Sequence, residues 1–290
     1  MYIHSPLNYT GGKYKLLSQL LPLFPQDVKT FVDTFCGGCN VGINVNADKI
    51  VFNDSLKPLI DLYKVMKDTS VPDFVGEVDE VIGRYGLSKT NQEGYLKLRE
   101  KYNKDKNPID LFVLIAHSFN NQLRFNSNME FNMPFGKDMS SFNNKMRDNL
   151  VSFLNRIHEK DTVFLNSSYY DLDTDTLSEN DYVYCDPPYL ITEATYNMSW
   201  TETDEKSLLT FLKSLDDRNI KFGLSNVLTH NNSVNCILND WIEANGYNVV
   251  HLSQSYSNCS YHKKDKSSSS DEVFVCNYDI PSHIKQLTLF

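Results

Sequence analysis

The chemistry-bearing residues of this 290-residue chain gather in three short segments. The most telling is Tyr182–Tyr189, YVYCDPPY. An apolar, strand-like run meets Asp186, then two prolines that fix φ and withdraw two N–H donors, then an aromatic ring. Such a turn presents carbonyl oxygens and a carboxylate to a ligand. Asp186 is suited to accept from an exocyclic amino group, and Tyr189 offers a face on which a planar base could stack. The plain alternative is an ordinary proline turn, and the preceding strand weighs against it. The second segment, FVDTFCGGCNVGI, ends a strand in Asp33 and turns through glycines. Glycines there admit a ligand close to the backbone, and a strand-end carboxylate accepts hydroxyl or amino protons. A tight turn that binds nothing fits those residues too. In the third, Val51-Phe52-Asn53-Asp54 puts another acid at a strand end about twenty residues on, where a ribose diol could donate to its two oxygens. Asp54 could equally cap a helix starting near Lys57.

Cys36 and Cys39 have C-x-x-C spacing, but no second pair or H-x₃₋₅-H accompanies them, so no metal is expected. The six cysteines read as free thiols.

These segments need strands to hold them. β-branched and aromatic runs predict strands at Thr30–Phe35, Lys49–Asn53, Thr162–Leu165, Tyr182–Cys185, Ile220–Leu224, Tyr247–Leu252 and Val273–Tyr278. Helical periodicity fills Lys13–Leu23, Pro58–Lys67, Met146–Glu159, Glu202–Leu215 and Ser233–Asn245. The alternation predicts an α/β fold with a mostly parallel sheet covered on both faces. Between Val71 and Asn144 the rhythm breaks into helices (Asp73–Arg84, Asn91–Asn103, Ile109–Phe119), then a polar and aromatic stretch, FNNQLRFNSNMEFNMPFGKD, with the features of a hairpin or extended loop. The reading is a first part over 1–57, an insertion over 58–144, a second part over 145–280 and a tail over 281–290. Gln254–Asp271 reads as a serine-rich basic loop carrying Lys263, Lys264 and Lys266.

Composition excludes several classes. With 41% hydrophobic and 22% charged residues the chain can bury a core, and disorder or a disulfide miniprotein is ruled out. A formal charge of −9 is the wrong sign for coating nucleic acid by charge alone, though it permits a local basic groove. The apolar runs are too short to span a bilayer, and the N-terminus lacks the order of a secretory signal, so a cytoplasmic location is expected.

At this point the chain resembles a known family. DPPY with an upstream D-x-F-x-G turn is similar to the adenine-N6 DNA methyltransferases that use S-adenosylmethionine, and the order of motifs to the Dam-type D12 class, alpha group. Asn8–Lys13 (NYTGGK) resembles its N-terminal motif, NDSLKPLIDLYKVMK its cofactor ribose segment, and RFNSNMEFNMPFG its target-recognition segment. One departure is Cys39, where the turn would have its last glycine. The resemblance implies a Rossmann-like class I methyltransferase fold, with the insertion as a mainly helical target-recognition domain. It places Tyr9, Lys13, Asp33, Phe35, Gly37, Asp54 and Asp186 around S-adenosylmethionine, and assigns catalysis to Asp186, Pro187, Pro188 and Tyr189. Asp186 and the Pro187 carbonyl would accept the two N6 protons of an adenine flipped out of the duplex. Ser225 and Asn226 would help shape the pocket, or merely cap a strand.

Double-stranded DNA is the implied partner. Arg124 is the candidate for reading a guanine, with an Arg–carboxylate pair as the rival role. Asn120, Gln122 and Asn126 suit base-edge or phosphate contacts, and Phe119 could wedge into the stack or pack beneath the hairpin. Lys263 and Lys264 suit phosphates, or are simply solvated. A GAT-containing site, GATC first, is the expected target, although Gln122 stands where the pattern has an apolar residue. Cytosine N4, RNA or protein as substrate, and a DNA-binding module without turnover, are the alternatives. Finally, Gln286, Leu287, Leu289 and Phe290 resemble the bacterial sliding-clamp-binding peptide, differing at Thr288. The other reading is a tail that folds back on the body.

Overall fold

A computed structural model describes residues 2–192, 200–252 and 270–281. Its strands are β1 (Val28–Asp33), β2 (Ala47–Asn53), β3 (Asp161–Leu165), β4 (Tyr182–Cys185), β5 (Lys221–His230), β6 (Ser233–Val234), β7 (Asn248–Leu252) and β8 (Ser270–Cys276). The α-helices are α1 (Leu17–Leu20), α2 (Lys57–Asp68), α3 (Val71–Tyr85), α4 (Gln92–Asp105), α5 (Pro108–His117), α6 (Asn144–Glu159), α7 (Glu202–Asp216) and α8 (Cys236–Asn245). They form two compact units, the first from the described residues of Met1–Gly12, Cys36–Asn44 and Asn53–Asn166, the second from those of Lys13–Phe35, Val45–Phe52 and Ser167–Phe290. No helix among the described residues is long and apolar enough to cross a membrane.

The second unit is built on a sheet in which β2, β1, β4, β5, β8 and β7 lie side by side. β2, β1, β4 and β5 run parallel, and β8 is antiparallel to both its neighbours. β1 is followed in sequence by β2 on one side and adjoined by β4 on the other, so the chain reverses direction across the sheet between β1 and β4. Ligands of open α/β sheets bind beyond the C-terminal strand ends at such a reversal. An aromatic layer of Phe24, Phe31, Tyr182, Tyr184 and Phe274 covers one face. On the other, Val32, Val183, Phe222, Leu224, Val273 and Val275 pack with leucines of α7 and with Leu238 and Ile242 of α8. Gly223 makes the first layer possible: a Cβ there would lie 2.0 Å from the Tyr182 hydroxyl.

The first unit is mainly helical. α5, PIDLFVLIAH, is buried on every side, as a helix with no polar face must be, and α2, α3 and α4 pack around it. Its neighbours start on sequence signals. Ser70, Asn91, Asn107 and Asn143 each accept a backbone N–H at a helix N-terminus, and proline occupies the first turn of α2, α3 and α5.

Three expectations are corrected. Lys13–Leu23 is not one helix but a 3-10 turn, the single turn α1 and a second 3-10 turn around Pro22. The strand expected to stop at Leu224 continues to His230, because Ser233–Val234 folds back on it as β6. α8 therefore starts at Cys236, capped by Asn235, and not at Ser233. The aromatic stretch after α5 is an extended loop closed by single bridges, Ser118 to Phe135 and Phe125 to Phe131.

Candidate active site

Asp33 is the last residue of β1 and Asp186 follows the last of β4, so both stand at C-terminal strand ends beside the reversal. β1 and β4 are in register at Asp33 and Tyr184. Asp33 is buried, and Thr34 after it ties the two strands by donating to the Tyr184 carbonyl through both its N–H (3.0 Å) and its hydroxyl (2.8 Å).

Asp186 keeps 17% of its side-chain surface exposed, and its Oδ1 is 2.8 Å from the ammonium of Lys13, which is 5% exposed. The Tyr189 hydroxyl donates toward the same Oδ1 at 3.0 Å, and Lys13 also lies 4.9 Å from the Tyr189 ring centre. A second carboxylate completes the group. Glu272 of β8 has Oε1 3.1 Å from the Tyr189 hydroxyl and 3.5 Å from the Lys13 ammonium. Burial pushes the Asp186 carboxyl up; Lys13 opposes that, Glu272 adds to it, and the Tyr189 hydrogen bond opposes it. The arrangement is an acceptor carboxylate held in place by a cation and an aromatic ring while still open to a ligand.

Nothing in the spacing of the sequence ties Glu272 to Asp186. Only the sheet order brings β8 beside β5 and so to this cluster. Glu205 of α7 was equally invisible. Fully buried, it accepts from Trp200 Nε1 (2.7 Å), Asn226 (3.0 Å) and Asn235 (2.9 Å). Trp200 in turn meets the edge of Phe35, with ring centres 6.0 Å apart. Ser225 and Asn226 are interior to β5 and both engaged, Ser225 with the Tyr184 hydroxyl at 2.7 Å and Asn226 with Glu205.

In the first unit the glycine turn and Asp54 are joined directly. Asp54 Oδ2 accepts from Gly37 N–H at 3.0 Å and Oδ1 from Leu56 N–H at 2.9 Å. Asp54 is thus not the N-cap of α2, a place held by Leu56. Burial raises its pKa, and the two backbone donors only partly offset that. Gly37 has φ +44°, and a Cβ there would meet the Tyr9 ring at 2.8 Å, so that position needs glycine on both counts. Tyr63 of α2 donates to the Gly37 carbonyl at 2.8 Å, a contact within the segment identified from sequence but at a residue not singled out there. Cys39, the departure from the family turn, adopts φ +58° where glycine would cost nothing. Cys36 and Cys39 are buried and not joined in a disulfide.

The loop residues are placed individually. Arg124 is exposed and donates through Nε (2.9 Å) and Nη2 (3.0 Å) to the side chain and carbonyl of Asn132. Among the described residues no carboxylate lies in ion-pair range of it. Asn126 accepts from the N–H groups of Asn128 and Glu130 and builds the loop tip. Asn120, at φ +55°, receives the Asn8 side chain on its carbonyl at 2.8 Å. Gln122 is half-buried, and its carbonyl accepts from Ser118. Phe119 is 45% exposed. Lys263, Lys264, Lys266, Gln286, Leu287, Leu289 and Phe290 lie outside the described residues.

Comparison with known proteins decides the family. A model of the D12 class N6 adenine-specific DNA methyltransferases matches residues 9–258. The chain belongs to that family. It is 44% identical over 284 residues to modification methylase StsI of Streptococcus sanguinis, covering 96% of this chain and 43% of that protein. It is 45% identical over 283 residues to type II methyltransferase M.FokI of Planomicrobium okeanokoites, with the same two coverages. The DNA adenine methylase of Escherichia coli K12 is 27% identical over 265 residues, covering 87% of this chain and 88% of that protein. The chain therefore spans less than half the length of the first two relatives and most of the third. The mostly parallel sheet, with acids at two strand ends beside its reversal, is the α/β architecture expected of this D12 methyltransferase.

Proposed function

We propose that this chain transfers a methyl group from S-adenosylmethionine to N6 of adenine in a short duplex DNA site. The observation that carries the proposal is Asp186: a solvent-reachable carboxylate at a strand end, fixed by Lys13 and Tyr189, in a member of an N6-adenine family. When bound, S-adenosylmethionine supplies the methyl group from its sulfonium.

The rest falls to the chain's own residues. The adenine N6 lone pair is delocalised into the ring and is a poor nucleophile. Asp186 accepts one N6 proton in a hydrogen bond and the Pro187 carbonyl the other, which favours a tetrahedral nitrogen with its lone pair free. Lys13 favours the ionised form of Asp186 against the cost of burial. Once N6 carries a positive charge, it sheds a proton to Asp186, whose raised affinity for protons suits it to the task. Positioning and charge placement supply the acceleration. Tyr189 supplies the stacking face for a base taken out of the duplex.

The first unit's residues fit a nucleoside. Asp54 uses one lone pair on each oxygen for Gly37 and Leu56, leaving a second on each for the two hydroxyls of a ribose. Tyr9 and Gly37 border the same turn.

The segment 58–144 is assigned to target recognition. Arg124 commits its Nε and one Nη2 proton to Asn132, which leaves the Nη1 and Nη2 end of the fork for guanine O6 and N7. A GAT-containing site, GATC first, is proposed on the loop sequence. On sequence alone, Gln286, Leu287, Leu289 and Phe290 are proposed to bind the sliding clamp; equal clamp affinity after truncation at Lys285 would end that idea.

The direct test incubates the protein with isotope-labelled S-adenosylmethionine and duplexes that vary around GAT. Label on adenine in one site family is the expected result. Label on cytosine, on RNA or on protein, or none at all, would overturn the proposal.

A further inference from the structure

Glu272 is an acid in an interior strand. β8 is paired on both sides, by β5 and by β7, and the residues after Glu272 are Val273, Phe274, Val275 and Cys276, all buried. A carboxylate buried in such a place is costly unless partners hold it. The partners found are Lys13 and Tyr189, the two side chains that also hold Asp186. No structural need of the sheet calls for an acid here, since an apolar residue would suit the strand. The Tyr189 hydroxyl carries one proton, yet it stands 3.0 Å from an Asp186 oxygen and 3.1 Å from a Glu272 oxygen. Likewise one ammonium serves both acids, at 2.8 Å and 3.5 Å. The two carboxylates therefore compete for the one Tyr189 proton and share the Lys13 ammonium.

We infer that Glu272 is a positioning residue of this site: from β8 it anchors the Tyr189 hydroxyl and draws on the Lys13 ammonium, fixing the Tyr189 ring and limiting how much of the Lys13 charge reaches Asp186. This rests on the assignment of Asp186 as the amino-group acceptor. The groups bearing on Asp186 are Lys13 from the N-terminal 3-10 turn, Glu272 from β8 and Tyr189 from its own turn. Tyr184 of β4 stands in the field of both Asp186 and Asp33 of β1. Glu272 raises the Asp186 pKa as a like charge, whereas the Tyr189 hydrogen bond lowers it. Removing each should move the same titration in opposite directions, which a general loosening of the site would not do.

The experiment follows kcat/KM for a duplex substrate against pH in wild type, Glu272→Gln, Glu272→Asp and Tyr189→Phe. The acid limb reports ionisation of Asp186 in the free enzyme. In Glu272→Gln the limb should move to lower pH, and in Tyr189→Phe to higher pH. Glu272→Asp keeps the charge but withdraws it from Tyr189, so its limb should stay while kcat falls about threefold to tenfold, the worth of one hydrogen bond. KM for DNA should be little changed in both Glu272 variants. A Glu272→Gln limb that stays or rises would overturn the inference. If that variant does not fold, wild-type kcat in Glu272→Asp would overturn it. A wild type without methyl transfer would instead refute the function on which the inference rests.

Discussion

In the proposed function Asp186 does two things that pull against each other: it must be ionised to hold an amino group, and it sits where ionisation is expensive. Replacing it with Asn keeps the volume and removes the acceptor charge. kcat should fall by about a hundredfold to a thousandfold, the scale of losing one aligned electrostatic contact. The fold should survive, because Lys13 retains Glu272 as a partner. Circular dichroism together with single-turnover rates would separate the two effects. Stability carries its own signature. A carboxyl whose folded pKa is raised contributes stability in full below its unfolded pKa, near 3.9, and loses it as pH rises through the folded value. Wild type therefore loses stability through Asp186 as pH rises from about 3.9 to its raised folded value, and Asp186→Asn does not. Thermal melts across that window should show the variant gaining on wild type; a constant difference would contradict the assigned shift.

Arg124 belongs to the same scale. Arg124→Ala should relax discrimination at one guanine by about 1–3 kcal/mol, whereas equal weakening on all sequences would make it a phosphate contact. Asn132→Ala should reproduce a weaker form of that change, since it removes the Nε bond and leaves only the backbone carbonyl to hold the guanidinium. Binding isotherms on single-base variants of the site decide both.

Among the elements, α4 holds the loop proposed for target recognition. Asn103 accepts from the Phe131 N–H at 2.8 Å and donates to the Phe131 carbonyl at 3.1 Å, so it stands in for a strand partner. Tyr95 and Arg99 both donate to the Met133 carbonyl. Asn103→Ala should cost about 1 kcal/mol per lost bond, felt locally, and weaken DNA binding with little change in melting. Hydrogen exchange at Phe131 is the check. In the sheet, Gly223→Ala should destabilise by about 1–3 kcal/mol or more, because Tyr182 and Phe274 have nowhere to go. Thermal unfolding of that variant tests the packing directly.

The elements also explain what was legible beforehand. β4 and its DPPY turn announce themselves because proline chemistry is local, and α5 because an apolar run bounded by Asn-Pro has few alternatives. β6 could not be read, since Ser233–Val234 becomes a strand only by pairing with β5. Lys13–Leu23 has helical periodicity, yet Pro22 interrupts it. Glu272 and Glu205 were silent for a deeper reason. Their partners lie on other strands and helices, and order across a sheet leaves no spacing in the chain.

At the scale of the whole molecule, the proposed DNA substrate would meet an acidic chain of formal charge −9 through particular side chains and not through its general field. The family match spans residues 9–258 and so includes parts of both units. The proposed activity puts a methyl group on N6 of adenine at a defined site. It is tested by methylome sequencing of DNA from cells expressing this chain, beside cells expressing Asp186→Asn. N6-methyladenine is expected at one short motif in the first culture and none above background in the second. Modified cytosine, or no modified base in either culture, would contradict it.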